Sequence, residues 1–203
     1  MLKIHTLTLG MYQTNTYIIH DDSAKTCCVI DPGYEPQAIL DKAASLGLQI
    51  EGILLTHGHF DHVGAVAGIA KKTGCSVWMN QGDYSPEPGP MGRMLLPLAN
   101  CKEPVIRFCQ DREQLRAAGL TIFVRETPGH TRGGVCYLCE DALFSGDTLF
   151  AGACGRTDLG GDWPSLLHSL KQLAQIEADL RVFPGHGEST TLAAEKRYNP
   201  YMV

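Results

Sequence analysis

The 203-residue sequence has no basic block, no low-complexity tract and no evident linker, and none of its apolar runs approaches the length of a membrane span. Each absence removes a class of function. A formal net charge of -5 without a basic stripe disfavours nucleic acid as a partner. The opening Met1-Leu2-Lys3-Ile4-His5-Thr6-Leu7 alternates apolar and polar residues as a strand does, without the basic n-region and apolar h-region of a secretory signal. The expectation is a cytoplasmic chain with no membrane partner, whose eight cysteines stay reduced. With 44% hydrophobic and 19% charged residues it can fill a core, and its length suits one domain spanning 1–203.

A second CxxC is also missing, so Cys136 and Cys139 cannot complete a zinc knuckle. They lie in the strand-like run Val135–Cys139, where residues three apart face opposite sides, and read as small buried hydrophobes. Cys27 and Cys28, in another strand, read the same way.

What is present is a regular succession of short elements. Strands are expected at Ile4–Leu9, Asn15–His20, Thr26–Ile30, Ile53–Leu55 and Ser76–Met79, with helices at Glu35–Leu46 and Val63–Lys72. Residues 80–100 dissolve into Gly, Pro and Met, a long irregular loop that either covers a substrate or is an uncommitted surface. Strands resume at Val105–Phe108, Gln114–Ala117 and Leu120–Glu126, followed by a hairpin of Val135–Cys139 and Ala142–Phe144. Pro164 opens a helix with Leu166, Leu167, Leu170, Leu173 and Ile176, its N-cap at or near Asp162-Trp163. Leu180–Phe183 is the last strand, and Leu192–Lys196 a short helical tail. Strands then a helix in each half predict an α/β fold: an α/β/β/α sandwich of two mixed sheets with helices on both outer faces.

The strongest chemical signal is Thr56-His57-Gly58-His59-Phe60-Asp61-His62. His57 and His59 lie two apart in an extended segment, so their rings point the same way, and Asp61 and His62 begin the following helix. All four are side chains that zinc favours. His130 follows a strand and Thr127-Pro128-Gly129, His186 a strand and Pro184-Gly185, and Asp147 a strand and Ser145-Gly146. Each is thereby presented at a strand end. His5, His20 and His168 read as ordinary surface or half-buried residues.

This motif set, HxHxDH with a PGHT histidine, an SGD aspartate and a PGHG histidine, resembles the metallo-β-lactamase superfamily over nearly the whole chain, including Asp31-Pro32-Gly33 after the third strand. The resemblance implies that His57, His59 and His130 hold one metal, that Asp61, His62 and His186 hold a second, and that Asp147 bridges them. Two zinc ions per chain are implied, with iron or manganese as alternatives. Two such cations about 3.5 Å apart can share a hydroxide for attack on a carbonyl or phosphoryl centre. Asp61 could also aim that nucleophile as a catalytic residue.

Within the superfamily, the bridging Asp147 disfavours an antibiotic hydrolase, and the acidic charge without an RNA-gripping arm disfavours a nuclease. Gly155-Arg156-Thr157-Asp158 and Arg197-Tyr198-Asn199-Pro200-Tyr201 resemble the glyoxalase II-like branch, in a short form without the C-terminal helical domain. That implies hydrolysis of a small-molecule thioester such as S-lactoylglutathione by a monomer or homodimer. Arg156 either binds a substrate carboxylate or braces its loop. The rival reading is a persulfide dioxygenase with one iron at His57, His130 and Asp147. A third is a metal-stabilised scaffold without turnover.

Overall fold

The computed structural model describes residues 1–84 and 106–202. Most of the Gly/Pro/Met segment 80–100, and the first residue of the strand expected at Val105, therefore lie outside the described residues.

Two six-stranded sheets are stacked. The first runs in the order β1 (Leu2–Leu9), β2 (Thr14–Asp21), β3 (Thr26–Ile30), β4 (Gln49–Leu54), β5 (Ser76–Met79), β6 (Ile106–Phe108). Its first three strands pair antiparallel and the remainder parallel. The second sheet uses β7 (Gln114–Ala117), β8 (Leu120–Glu126), β9 (Val135–Cys139), β10 (Ala142–Gly146), β13 (Arg181–Pro184) and β14 (Thr190–Thr191), in the order β14-β13-β10-β9-β8-β7. A two-stranded ribbon, β11 (Leu149–Phe150) and β12 (Ala153–Cys154), follows β10.

Three apolar layers show how alternation along the strands builds the stack. Ile18, Cys27, Val29 and Ile53 face outward from the first sheet against α1 (Pro36–Ser45) and α3 (Val66–Thr73). Tyr17, Ile19, Cys28, Ile30, Leu54, Ile122, Val124, Tyr137 and Phe144 fill the space between the sheets. Leu143, Val182 and Cys136 pack outward on α4 (Trp163–Ala174) and α5 (Leu192–Tyr198) through Leu166, Leu170, Leu173 and Leu192. The order is helix, sheet, sheet, helix. Cys27 and Cys28 enter different layers, and so do Cys136 and Cys139, which rules out either pair acting from one face.

The expected helix Val63–Lys72 is broken in two. A single turn, α2 (Phe60–Val63), ends before α3 because the Ala65 amide donates to the Pro32 carbonyl at 2.9 Å instead of continuing the helical ladder; Gly64 packs on the Gly33 carbonyl, where a Cβ would lie 2.4 Å from the oxygen. β4 begins at Gln49, ahead of its apolar run, because exposed Gln49 and Glu51 alternate with buried Ile50 and Gly52. No helix among the described residues is long and apolar enough to cross a membrane.

Strands β3, β4 and β10 end at the same edge of the stack, as do β8 and β13. Two buried tyrosines tie strand ends across the sheets there: the Tyr17 hydroxyl donates to the Pro184 carbonyl at 2.6 Å and the Tyr137 hydroxyl to Leu55 at 2.8 Å. Burial pushes the Tyr137 phenol well above its usual pKa, so it remains a donor.

Candidate metal centre

Beyond β4 the extended chain lays His57 beside His59, with His57 Nε2 3.1 Å from His59 Nδ1. The turn α2 then carries Asp61 and His62. The loop after β8 brings His130 Nε2 to 2.8 Å from His59 Nδ1. The loop after β13 sets His186 Nε2 3.3 Å from His62 Nε2 and 3.2 Å from Asp61 Oδ2. Asp147 stands between these groups: Oδ2 lies 3.5 Å from His130 Nε2 and 3.7 Å from His186 Nε2, and Oδ1 lies 3.4 Å from His62 Nε2. The donor atoms of His57, His59 and His130, and likewise of Asp61, His62 and His186, all lie within 4.8 Å of one another. The fold thus gathers all seven residues singled out in the sequence.

The outer ring nitrogens fix where the imidazole protons sit. His130 Nδ1 lies 2.6 Å from the Arg156 carbonyl, His186 Nδ1 3.0 Å from the Tyr12 carbonyl, and His62 Nδ1 2.9 Å from Asp31 Oδ2. These oxygens only accept, so each Nδ1 carries a hydrogen. Thr56 Oγ1 gives its proton to Asp31 Oδ2 at 2.6 Å, so at 3.0 Å it accepts from His57 Nδ1. With Nδ1 engaged outside, all four rings turn Nε2 inward. His59 is reversed: Nδ1 faces the others, and its buried Nε2 has no partner.

A buried polar atom left without a partner carries a cost that a bound cation can remove. Asp147 Oδ1 is likewise buried without a hydrogen-bond partner. A divalent cation that takes imidazole nitrogen and carboxylate oxygen, as zinc or iron does, fits this donor set.

The two halves differ in charge. Burial, reinforced by His62 and the other rings, drives His57 well below its ordinary pKa, and burial lowers His59 too. At His62, burial opposes protonation, but Asp147, Asp31 and Asp61 outweigh it and raise the pKa to about 9. Burial would raise Asp61, yet the His186 hydrogen bond and His62 hold it at about 2. One half gathers histidine nitrogens alone; the other is rich in carboxylate and attracts cations.

The chain matches the metallo-beta-lactamase superfamily over residues 9–186. It belongs to that superfamily. The hydroxyacylglutathione hydrolase GloC of Haemophilus influenzae is 34% identical over 209 residues, covering 99% of this chain and 98% of the relative. The B3 metallo-beta-lactamase BLEG-1 superposes with a TM-score of 0.86 at 33% identity, each chain covered in full (100%). TTHA1623, solved in a di-iron-bound form, superposes with a TM-score of 0.80 at 35% identity over 97% of this chain and 99% of its own.

The superfamily motifs here rest on residues that carried little signal of their own. Buried Asp31 accepts from the Thr56 amide, the Thr56 hydroxyl and His62 Nδ1, holding the first two strand ends together. Asp83 accepts from the Gly58 amide at 2.9 Å, the Thr131 hydroxyl at 2.7 Å and the Gly133 amide at 2.6 Å, clamping the HxH segment to the PGHT loop. Asp31 was visible only within Asp-Pro-Gly, and Asp83 sits unmarked near the start of the Gly/Pro/Met segment 80–100. The glycines of the motifs have steric work. A Cβ on Gly185 would lie 2.3 Å from Asp147 Oδ1 and 2.6 Å from His62 Cε1. Gly146 has φ +48, and a Cβ there would meet Thr56 Oγ1 at 2.2 Å. Arg156 turns its exposed guanidinium to Asp158, its Nε 2.5 Å from Oδ1, and reaches the centre only through its carbonyl on His130.

Proposed function

We infer that this chain is a metal-dependent thioester hydrolase of the glyoxalase II-like kind, with S-lactoylglutathione or a related thioester as substrate. The observation that carries the reading is the pair of converging donor groups with Asp147 within reach of both. Similarity to GloC over nearly the full length of both chains supports the substrate class.

His57, His59 and His130 would hold one ion and Asp61, His62 and His186 the other, with Asp147 shared. Bound there, two divalent ions supply Lewis acidity and a water acidified toward neutral pH. The chain's own residues do the remainder. Asp61, with its pKa held at about 2, remains a carboxylate that accepts a hydrogen bond from the attacking water and so aims it. The water oxygen bonds to the acyl carbon and the carbon–sulfur bond breaks with its electron pair on sulfur; one water proton ends on that thiolate and the other in solvent, leaving a carboxylate and a thiol. A thiol pKa of about 8.5 makes that departure easy, so a general acid beyond the donor set is not required.

The test is loss of the S-lactoylglutathione thioester absorbance by purified, metal-loaded protein with and without a chelator. Chelator-sensitive turnover is expected; its absence with metal bound overturns the reading. A cephalosporin belongs in the same assay, because BLEG-1 is described as a B3 metallo-beta-lactamase. The di-iron form of TTHA1623 favours iron as a second choice of metal. The oxygenase alternative would use a single iron at His57, His130 and Asp147. That alternative predicts oxygen uptake with glutathione persulfide by the iron-loaded protein.

A further inference from the structure

Solvent reaches the centre unevenly. His57, His59 and His130 are 3%, 4% and 4% exposed, whereas the His186 side chain is 27% exposed. A substrate therefore arrives over the Asp61/His186 half. Aromatic side chains border that half. Met11 and Tyr12, the central residues of the β1–β2 turn, are 90% and 56% exposed, and Phe60 on α2 is 41% exposed. Tyr12 and Phe60 meet edge to face with centroids 5.2 Å apart, and the partly buried Phe150 ring lies 6.3 Å from the His186 ring.

This rim is fixed to the centre. The Tyr12 carbonyl accepts from His186 Nδ1, Phe60 stands between His59 and Asp61, and the turn closes through the Gln13 amide and side chain, which both donate to the Gly10 carbonyl. Exposed aromatic side chains held together cost little entropy to use, and contiguous exposed apolar surface marks a binding face.

We propose that Tyr12 and Phe60 form a specificity surface that takes an apolar portion of the thioester, so that the preferred substrates carry a hydrophobic acyl or thiol group larger than lactoyl. This rests on the hydrolase reading. A small hydroxyacyl group would leave the rim in water, while an alkyl or aryl chain would cover it. Removing one ring is worth about tenfold in discrimination.

The experiment uses two series on the metal-loaded full chain: acyl groups from acetyl to octanoyl and phenylacetyl on N-acetylcysteamine, and thiols of increasing chain length carrying acetyl. Binding of S-octyl-N-acetylcysteamine, a thioether that cannot be hydrolysed, is measured beside them by calorimetry. The surface predicts that kcat/KM rises with chain length in one series, which identifies the portion bound. It also predicts that Tyr12→Ala and Phe60→Ala each cut the long-to-short ratio about tenfold, through KM, and weaken thioether binding similarly at wild-type metal content. A flat profile in both series, or a ratio unmoved by either substitution, overturns the surface. If no thioester is turned over, the hydrolase reading fails by itself. Thioether binding that both variants weaken would then still support the apolar surface, and no binding by the wild type would overturn it.

Discussion

Among single residues, the carboxylates divide by position. Asp61 and Asp147 face the converging nitrogens, while Asp31 and Asp83 hold the loops from behind. Replacing Asp147 by Ala removes a carboxylate whose oxygens lie 3.5 Å from His130 Nε2 in one half and 3.4 Å from His62 Nε2 in the other. It is expected to leave at most one tightly held ion and to lower turnover about a hundredfold or more, as read by metal analysis and kinetics. Full metal content with near-normal turnover would contradict the sharing of Asp147. Asp83→Asn tests the outer support. An amide cannot accept from the Gly58 amide, the Thr131 hydroxyl and the Gly133 amide together, so a buried donor loses its partner at a cost of about 1–3 kcal/mol. A lower melting temperature and about tenfold weaker metal binding in chelator competition are expected; neither changing would dismiss the clamp. The inner residues were legible because His57, His59, Asp61 and His62 crowd one short segment and the other three follow strands through glycine. The outer ones were not. Asp83 meets Gly58 and Gly133 only after folding, so local spacing holds no trace of the contact.

For the elements, α4 shows how packing far from the chemistry can place a ligand. Its N-terminal end is capped by Asp162, whose carboxylate accepts from the Ser165 amide at 2.9 Å. The Asp162 amide in turn donates to the Gly129 carbonyl at 2.7 Å, and the Ser169 hydroxyl donates to Pro128. The helix thus holds the turn that delivers His130. Asp162→Ala is expected to cost about 1 kcal/mol through the lost cap. Leu166→Ala, in the fully buried layer under β10 and β13, is expected to cost roughly 2–5 kcal/mol through the cavity it leaves. Denaturant titration measures both, and equal effects would contradict this division. The helix and its cap could be read in advance from Asp162-Trp163-Pro164 and the leucine spacing. The strands β11, β12 and β14 could not: each has two residues, too few to express a period. The split between α2 and α3 was hidden too, because it arises from the Ala65 amide meeting the Pro32 carbonyl across the fold.

Over the whole molecule, the stacked sheets bring five separate segments to one edge, and the centre they form leaves His59 Nε2 and Asp147 Oδ1 buried without a hydrogen-bond partner. Metal should therefore stabilise the fold. An ion present at about a thousand times its dissociation constant contributes about 4 kcal/mol, or a melting temperature roughly 8–16 °C higher for a chain of this size. Calorimetry before and after chelation checks this, and an unchanged melting temperature would separate the centre from the fold. The layer order followed from strand alternation and the two rows of helices, whereas the register and the meeting of strand ends belong to tertiary packing alone. The most direct test of the account is S-lactoylglutathione turnover by the metal-free protein as zinc is added back in measured equivalents. Activity is expected to rise and level at two ions per chain. No thioester turnover at any loading, or a plateau at one ion, would contradict it.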